Sequence, residues 1–253
     1  MKRPLFFDVR PIIGLAMTTT VLLALIIACD DDDGEYDEDL TEIVDDNSSD
    51  YDSDYSSNSN SNNNVAATDT INGYECVDLG LSVKWEMCNI GASKNYPTNY
   101  GDYFAWGETY NGSNFTAFGS VTYGVEDMED FSGDATYDAA TVNWGSTWRM
   151  PTQDECQELI DNCTWKWCEY EYVNSISNGY IVTGPNGNSI FLPATGHRSG
   201  TSSKLCGEYG GYWSSSPHDS DSKQAYSLNF FDSGPYVCGG ARYGGRCIRP
   251  VSK

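Results

Sequence analysis

The chain has 253 residues, 37 Asp and Glu against 14 Lys and Arg, and a formal net charge of −23, which leaves room for one domain or two small ones. It lacks the clustered Lys and Arg that grip a phosphate backbone, so nucleic acid is excluded as a partner. Its only histidines, His197 and His218, exclude any metal site or mechanism that needs a group of imidazoles, and neither metal nor cofactor is expected.

The charge is unevenly spread. Fourteen acids and no base lie between Asp30 and Asp54, whereas residues 56–253 carry 22 acids and 11 bases. The chain opens with Lys2, Arg3 and Arg10, and Ile12 to Ala28 is apolar apart from Thr18-Thr19-Thr20. At about 17 residues this run is at the short limit for crossing a bilayer. It ends Ile26-Ile27-Ala28-Cys29, which resembles the lipobox of bacterial lipoproteins. The resemblance implies a signal peptide over residues 1–28, cleaved before Cys29. Cys29 would carry a diacylglyceryl group and an acylated amino terminus, with palmitate-type chains. More than one chain is what stable anchoring to a membrane requires. The competing reading is an ordinary transmembrane anchor.

Asp30, Asp31, Asp32 and Asp33 follow at once. They are similar to the surface-export signal of Bacteroidetes lipoproteins, which implies an outer-membrane protein facing outward. The run also reads as a solvated spacer repelled by anionic headgroups. Residues 29–70 then turn from acidic to Ser and Asn, and Ser56 through Asn64 holds nothing else. Such a stretch has nothing to bury against its ordering entropy. It is expected to be a disordered stalk with a reach of roughly 35 Å. Asp69-Thr70-Ile71 resembles the three-residue O-glycosylation motif of Bacteroidetes secreted proteins, which would modify Thr70; chance also supplies a match this short.

Residues 71–253 read as an α+β domain with few helices and short strands. Val77–Leu81 and Val83–Cys88 are β-like. Thr152-Gln153-Asp154-Glu155 is a capping box behind Pro151. It opens a helix whose Cys156, Leu159, Ile160 and Cys163 share one face. Tyr180–Val182 and Ser189–Leu192 flank Pro185-Asn186-Gly187, a hairpin turn. Tyr226–Phe231 runs into a second turn at Asp232-Ser233-Gly234. Cys247–Val251 is expected to be a closing strand, with Pro250 near an edge or an end.

Six blocks in chain order carry a wider resemblance. They are Asp78–Trp85 with Cys88–Ala92, Tyr100–Glu108, Trp148–Thr152, Asn188–Ala194, Tyr212–Ser215 and Arg249–Val251. Together they resemble a Bacteroidetes domain family related to the Fibrobacter succinogenes major paralogous domain. The resemblance implies a C-type lectin-like fold: two short helices, a compact mixed sheet, a long irregular loop region above it, and terminal strands side by side. The Glu-Pro-Asn, Gln-Pro-Asp and Trp-Asn-Asp calcium motifs of C-type lectins do not occur. Gly184-Pro185-Asn186 lacks the carboxylate a hard cation wants, so the fold alone does not imply sugar binding.

With Cys29 acylated, eight cysteines remain: 76, 88, 156, 163, 168, 206, 238 and 247. Eight allow 105 pairings, and the sequence does not choose among them. The family blocks make Cys88–Cys163 the first disulfide to test. The spacings are too open for a zinc knuckle. Cys238 and Cys247 also raise formylglycine-generating enzymes, which share the fold superfamily and oxidise a substrate Cys with copper. The separation here is wider than that motif, and a disulfide across a loop or two unpaired thiols is the plainer reading.

The remaining groups read blandly. Glu126-Asp127-Met128-Glu129-Asp130 is a solvated loop before it is a Ca²⁺ site. Asp154, Glu155 and Glu158 suit a helix N-terminus. No Gly-x-Ser-x-Gly elbow or Ser/Asp partner accompanies either histidine. Trp85, Trp106, Trp144, Trp148, Trp165, Trp167 and Trp213 are expected in the core rather than on a sugar platform. Tyr226–Ser252 contains no Lys, Glu, Gln, Met or Trp. That composition is what adenine-directed diversification by a retroelement would leave, and equally what a Gly-rich structural loop would show. The first reading places a ligand face on His218, Tyr236, Gly239, Gly240, Ala241 and Tyr243, in a loop whose Tyr and Gly suit adaptable binding. The expected function is recognition of a protein or glycan ligand by a membrane-anchored surface domain rather than catalysis. A structural or adhesion module and a copper-dependent thiol oxidase are the rivals.

Overall fold

The computed structural model describes residues 65–253 apart from 94–95 and 173–174. Strands β1 (Asp69–Ile71) and β2 (Tyr74–Asp78) form a hairpin through Asn72 and Gly73, both at positive φ (52° and 80°). An Asn-Gly pair provides that geometry at little cost. β3 (Lys84–Glu86) pairs with β2, and the last strand, β12 (Val251–Ser252), pairs with β3 through Val251 opposite Trp85. The sheet order β1-β2-β3-β12 puts the first and last strands of the domain in one sheet. Residues 69–70, expected in the stalk, therefore belong to the domain.

Helix α1 (Ala139–Trp144) is capped by Asp138, which is fully buried and accepts hydrogen bonds from the backbone N–H groups of Gly133, Thr141 and Met150. Helix α2 (Gln153–Asn162) starts at the expected capping box. The Thr152 hydroxyl accepts from the Glu155 N–H at 3.2 Å, and the Glu155 carboxylate accepts from the Thr152 N–H at 2.9 Å. Its apolar face buries Cys156 and Leu159, with Ile160 and Cys163 half-buried beside them.

A second sheet follows, β4 (Thr164–Tyr172), β5 (Ser175–Thr183) and β6 (Ser189–Pro193), with Gly187 at φ 87° in the predicted turn. A small hairpin, β7 (His197–Ser199) and β8 (Ser202–Lys204), precedes a third sheet of β9 (Gly210–Pro217), β10 (Gln224–Phe231) and β11 (Gly234–Ala241), in the order β11-β10-β9. Among the described residues every strand pair is antiparallel, which corrects the expectation of a mixed sheet, and parallel contacts occur only as isolated bridges such as Tyr212 with Cys247. At this level the fold is α+β, with two short helices and antiparallel sheets among the described residues.

Strand β10 separates two hydrophobic clusters. Leu228 and Phe230 join Val77, Trp85, Leu159, Ile190 and Val251 on one side, while Ala225 joins Phe104, Trp106, Met150 and Trp213 on the other. Trp85, Trp106, Trp148 and Trp213 are core residues as expected, whereas Trp144, Trp165 and Trp167 are half-buried. The long irregular stretch from residue 87 to 138 has few ladder partners, so its carbonyls need others. Two buried arginines from the chain end provide them. Arg242 donates to the carbonyls of Thr122, Val125 and Gln224 and lies over the Trp106 ring at 4.5 Å. Arg249 donates to the Asn89 side chain and to the Glu86 and Met87 carbonyls. A guanidinium satisfies several acceptors at fixed angles where an ammonium would not. This use of residues 247–250 also shortens the expected closing strand: the Ile248 carbonyl accepts from Ile90 and the Pro250 carbonyl from Glu86.

Candidate functional site

The structure redistributes the residues that the sequence put on a ligand face. Tyr236, Gly239, Gly240 and Ala241 were expected in a loop, but they lie on β11, paired to β10 along its whole length. Gly239, Gly240 and Tyr243 are buried, and His218, Tyr236 and Ala241 are half-buried. A Cβ on Gly240 would stand 2.4 Å from the Arg246 guanidinium, so the bare backbone is a packing requirement. Tyr243 packs edge-on against Tyr123 at 5.2 Å. His218 and Gly239 do come together: a Cβ on Gly239 would meet the His218 ring at 2.8 Å, and that ring stands 4.9 Å from Tyr226. The six residues thus contribute mainly to the fold and do not form one exposed face.

Cys29 and Asp30–Asp33 lie outside the described residues. Thr70 is exposed on β1. Cys163 keeps a free thiol, so the expected Cys88–Cys163 disulfide is not formed. Cys163 caps the C-terminal end of α2 half-buried, and burial pushes its thiol up to about 11. Cys247 is also a free thiol; it is fully buried and donates to the Tyr100 carbonyl at 3.2 Å. Burial raises its pKa strongly, the opposite of the exposed, lowered thiolate that redox chemistry uses. In the 126–130 loop, Asp130 accepts from the Ser215 and Ser216 hydroxyls at 2.8 and 2.5 Å, and Glu126 accepts from Ser222 at 2.9 Å. These carboxylates tie the loop to β9 and the β9–β10 turn. Among the described residues, no three His, Cys, Asp or Glu side chains converge to hold a metal ion.

One concavity was not anticipated by the sequence. A cleft of about 540 Å³ opens between Gly91–Ser93, Thr98–Gly101 and Tyr103, Ile176 on β5, and Ser203 and Cys206 around the end of β8. Its rings are Tyr100 and Tyr103. The Tyr103 hydroxyl donates to the Thr195 carbonyl at 2.6 Å, which fixes the ring, and burial raises its pKa. Burial also raises Tyr100, against a hydrogen bond with Ser177 that pulls the other way. The Cys206 thiol reaches the same Thr195 carbonyl at 3.4 Å. Thr98 also lines the cleft; it is 3% exposed, and its Oγ1 has no hydrogen-bond partner. Sequence reading missed this place because three separate segments build it. Its one local signal is Tyr100-Gly101-Asp102-Tyr103, where Gly101 takes φ 78° and spaces the two rings.

Compared with protein-family models, with curated proteins and with solved structures, the chain matches none.

Proposed function

We propose that the chain is a lipoprotein displayed on the outer face of an outer membrane, held by lipid on Cys29, and that its folded part is a recognition domain of C-type lectin-like type. The lipobox-like end at Cys29, the acidic run behind it and the Ser/Asn stretch support the anchor and the display. Two short helices, a terminal-strand sheet and long irregular segments held by buried arginines are in keeping with that fold type. The observation that carries recognition over catalysis is the cleft at Tyr100 and Tyr103. Among the described residues it is lined by two tyrosine rings, hydroxyls, an amide and the Cys206 thiol, with no acid–base pair among them. The burial of Cys247 weighs against a thiol oxidase.

The test uses cells that make the full-length protein. Protease added to intact cells should remove the domain, and the purified lipoprotein should bind saturably to members of an array of glycans and surface proteins. Protease resistance would overturn display. A silent array, with cells that clump only when they carry the protein, would replace recognition of a soluble ligand with adhesion.

A further inference from the structure

We infer that the outer edge of β4 is an interface for a second copy of this chain, with the two β4 strands antiparallel and Cys168 facing Cys168 of the other copy across a twofold axis. The inference concerns the folded domain and is independent of the lipid on Cys29. β4 is nine residues long and edges the sheet β4-β5-β6. It pairs with β5 without a shift, from Thr164 opposite Thr183 to Tyr172 opposite Ser175. Among the described residues no strand, turn or loop backbone bonds to its other edge. A long regular edge is a template for another strand, and proteins ordinarily blunt it with brevity, Pro, a bulge or a covering segment. The other edges carry such devices. β1, β7, β8 and β12 have only two or three residues, β6 meets Val65, β9 meets Cys247, and β11 contains Pro235. β4 has only its charges, Lys166, Glu169 and Glu171.

Those charges suit a second copy and select its register. About a twofold axis perpendicular to the sheet, both copies keep their core faces on the same side, and residues of like face stand opposite one another. Centred on Cys168, all nine residues pair. Lys166 then faces Tyr170, Glu169 faces Trp167 and Glu171 faces Trp165, so no charge meets its like. Centring on Lys166 or Glu169 sets that residue against itself, and centring on Tyr170 sets Glu169 against Glu171; each arrangement is repulsive. Centring on Trp167 is free of such clashes but pairs only Thr164–Tyr170. In the Cys168 register, Lys166 opposite a tyrosine ring adds a cation–π contact. The result is one continuous sheet in the order β6-β5-β4-β4-β5-β6. The net charge of −23 on each chain opposes the approach at low salt, and salt relieves it.

Cys168 provides the readout, being a half-buried free thiol. Directly opposite residues of antiparallel strands have Cα atoms about 4.5 or 5.5 Å apart, within the span of a disulfide. Full-length protein in lauryldimethylamine oxide, with micelles in excess over protein so that two chains seldom share one, is treated with diamide. The azo group takes up the two thiol hydrogens as the disulfide forms. Cys168→Ser should lower the yield of linked dimer about tenfold, whereas Cys206→Ser should leave it unchanged. Under reducing conditions, sedimentation reads the association itself. Cys168→Ser should associate as the parent does. Cys168→Glu and Cys168→Lys should each associate about tenfold more weakly, and an equal mixture of the two should associate at least as strongly as the parent. Raising salt from about 0.1 to 1 M cuts the screening length from about 10 to 3 Å and should strengthen the parent's association. The inference is overturned if the linked dimer survives Cys168→Ser or if the two charged variants do not pair with each other. A parent that stays monomeric at both salt concentrations also overturns it, and leaves the edge to a strand from a different protein.

Discussion

Replacing Glu155 with Gln separates two roles that one carboxylate plays at the start of α2. Glu155 closes the capping box on the Thr152 N–H, and it also receives Arg149 in a two-pronged pair, Nη1 to Oε2 at 2.7 Å and Nη2 to Oε1 at 2.5 Å. Their side chains are 14% and 17% exposed, so water screens the pair only in part. Burial pushes Glu155 up, but Arg149 and the Thr152 N–H outweigh it and hold the carboxyl below its usual range. Gln keeps an oxygen for the Thr152 N–H and loses the charge. The expected loss at pH 7 is about 2 kcal/mol, as for a charge-assisted hydrogen bond, and Thr152→Ala should cost about 1 kcal/mol. For a domain of this size 2 kcal/mol lowers Tm by about 4–8 °C. The pH dependence identifies the cause. A carboxyl whose folded pKa is depressed stabilises fully above its unfolded pKa, and that contribution disappears as pH falls through the folded pKa. Urea melts at pH 7 and pH 3 should therefore show a gap between parent and Glu155→Gln that narrows in acid. A gap equal at both pH values would refute the charge pairing, and no gap at pH 7 would leave only the cap.

Cys29→Ala should abolish fatty-acid labelling; labelling at the parental level would remove the lipoprotein assignment. Replacing Asp30–Asp33 with Ala should leave the protein acylated but sheltered from protease on intact cells, and unchanged cleavage would reduce the run to a spacer. Gly210→Ala should destabilise by about 1–3 kcal/mol in urea melts, because the new Cβ would stand 2.0 Å from the buried Phe230 ring; an unchanged midpoint would show that the ring yields freely. Cys247 should resist iodoacetamide at pH 8 until urea unfolds the domain, and reaction as fast as at Cys206 would contradict its burial.

What the sequence revealed was what neighbouring residues decide. Thr152 and Glu155 mark α2 because a capping box needs only four residues. Asn186-Gly187 and Ser233-Gly234 mark their turns through backbone freedom. β4 escaped because its aromatic residues change phase at Cys168, from Trp165 and Trp167 to Tyr170 and Tyr172, so no single alternation runs its length. β11 read as a loop because Gly239 and Gly240 have little strand propensity. Their bare backbone is required by Gln224 and Arg246, which the chain brings there from elsewhere. The cleft was illegible for a related reason: Thr98, Ile176 and Cys206 meet only after two sheets have formed.

The pairing of β12 with β3 bears on when the domain can form. Val251 must find Trp85 across nearly the whole domain, and Arg249 must reach the carbonyls beside β3. Contacts between such distant parts of a chain close late and slowly. A growing polypeptide that lacks its last residues has neither the fourth strand nor the guanidinium that orders the segment after β3. With the first and last strands of the domain in one sheet, that sheet is complete only when Val251 has joined Trp85.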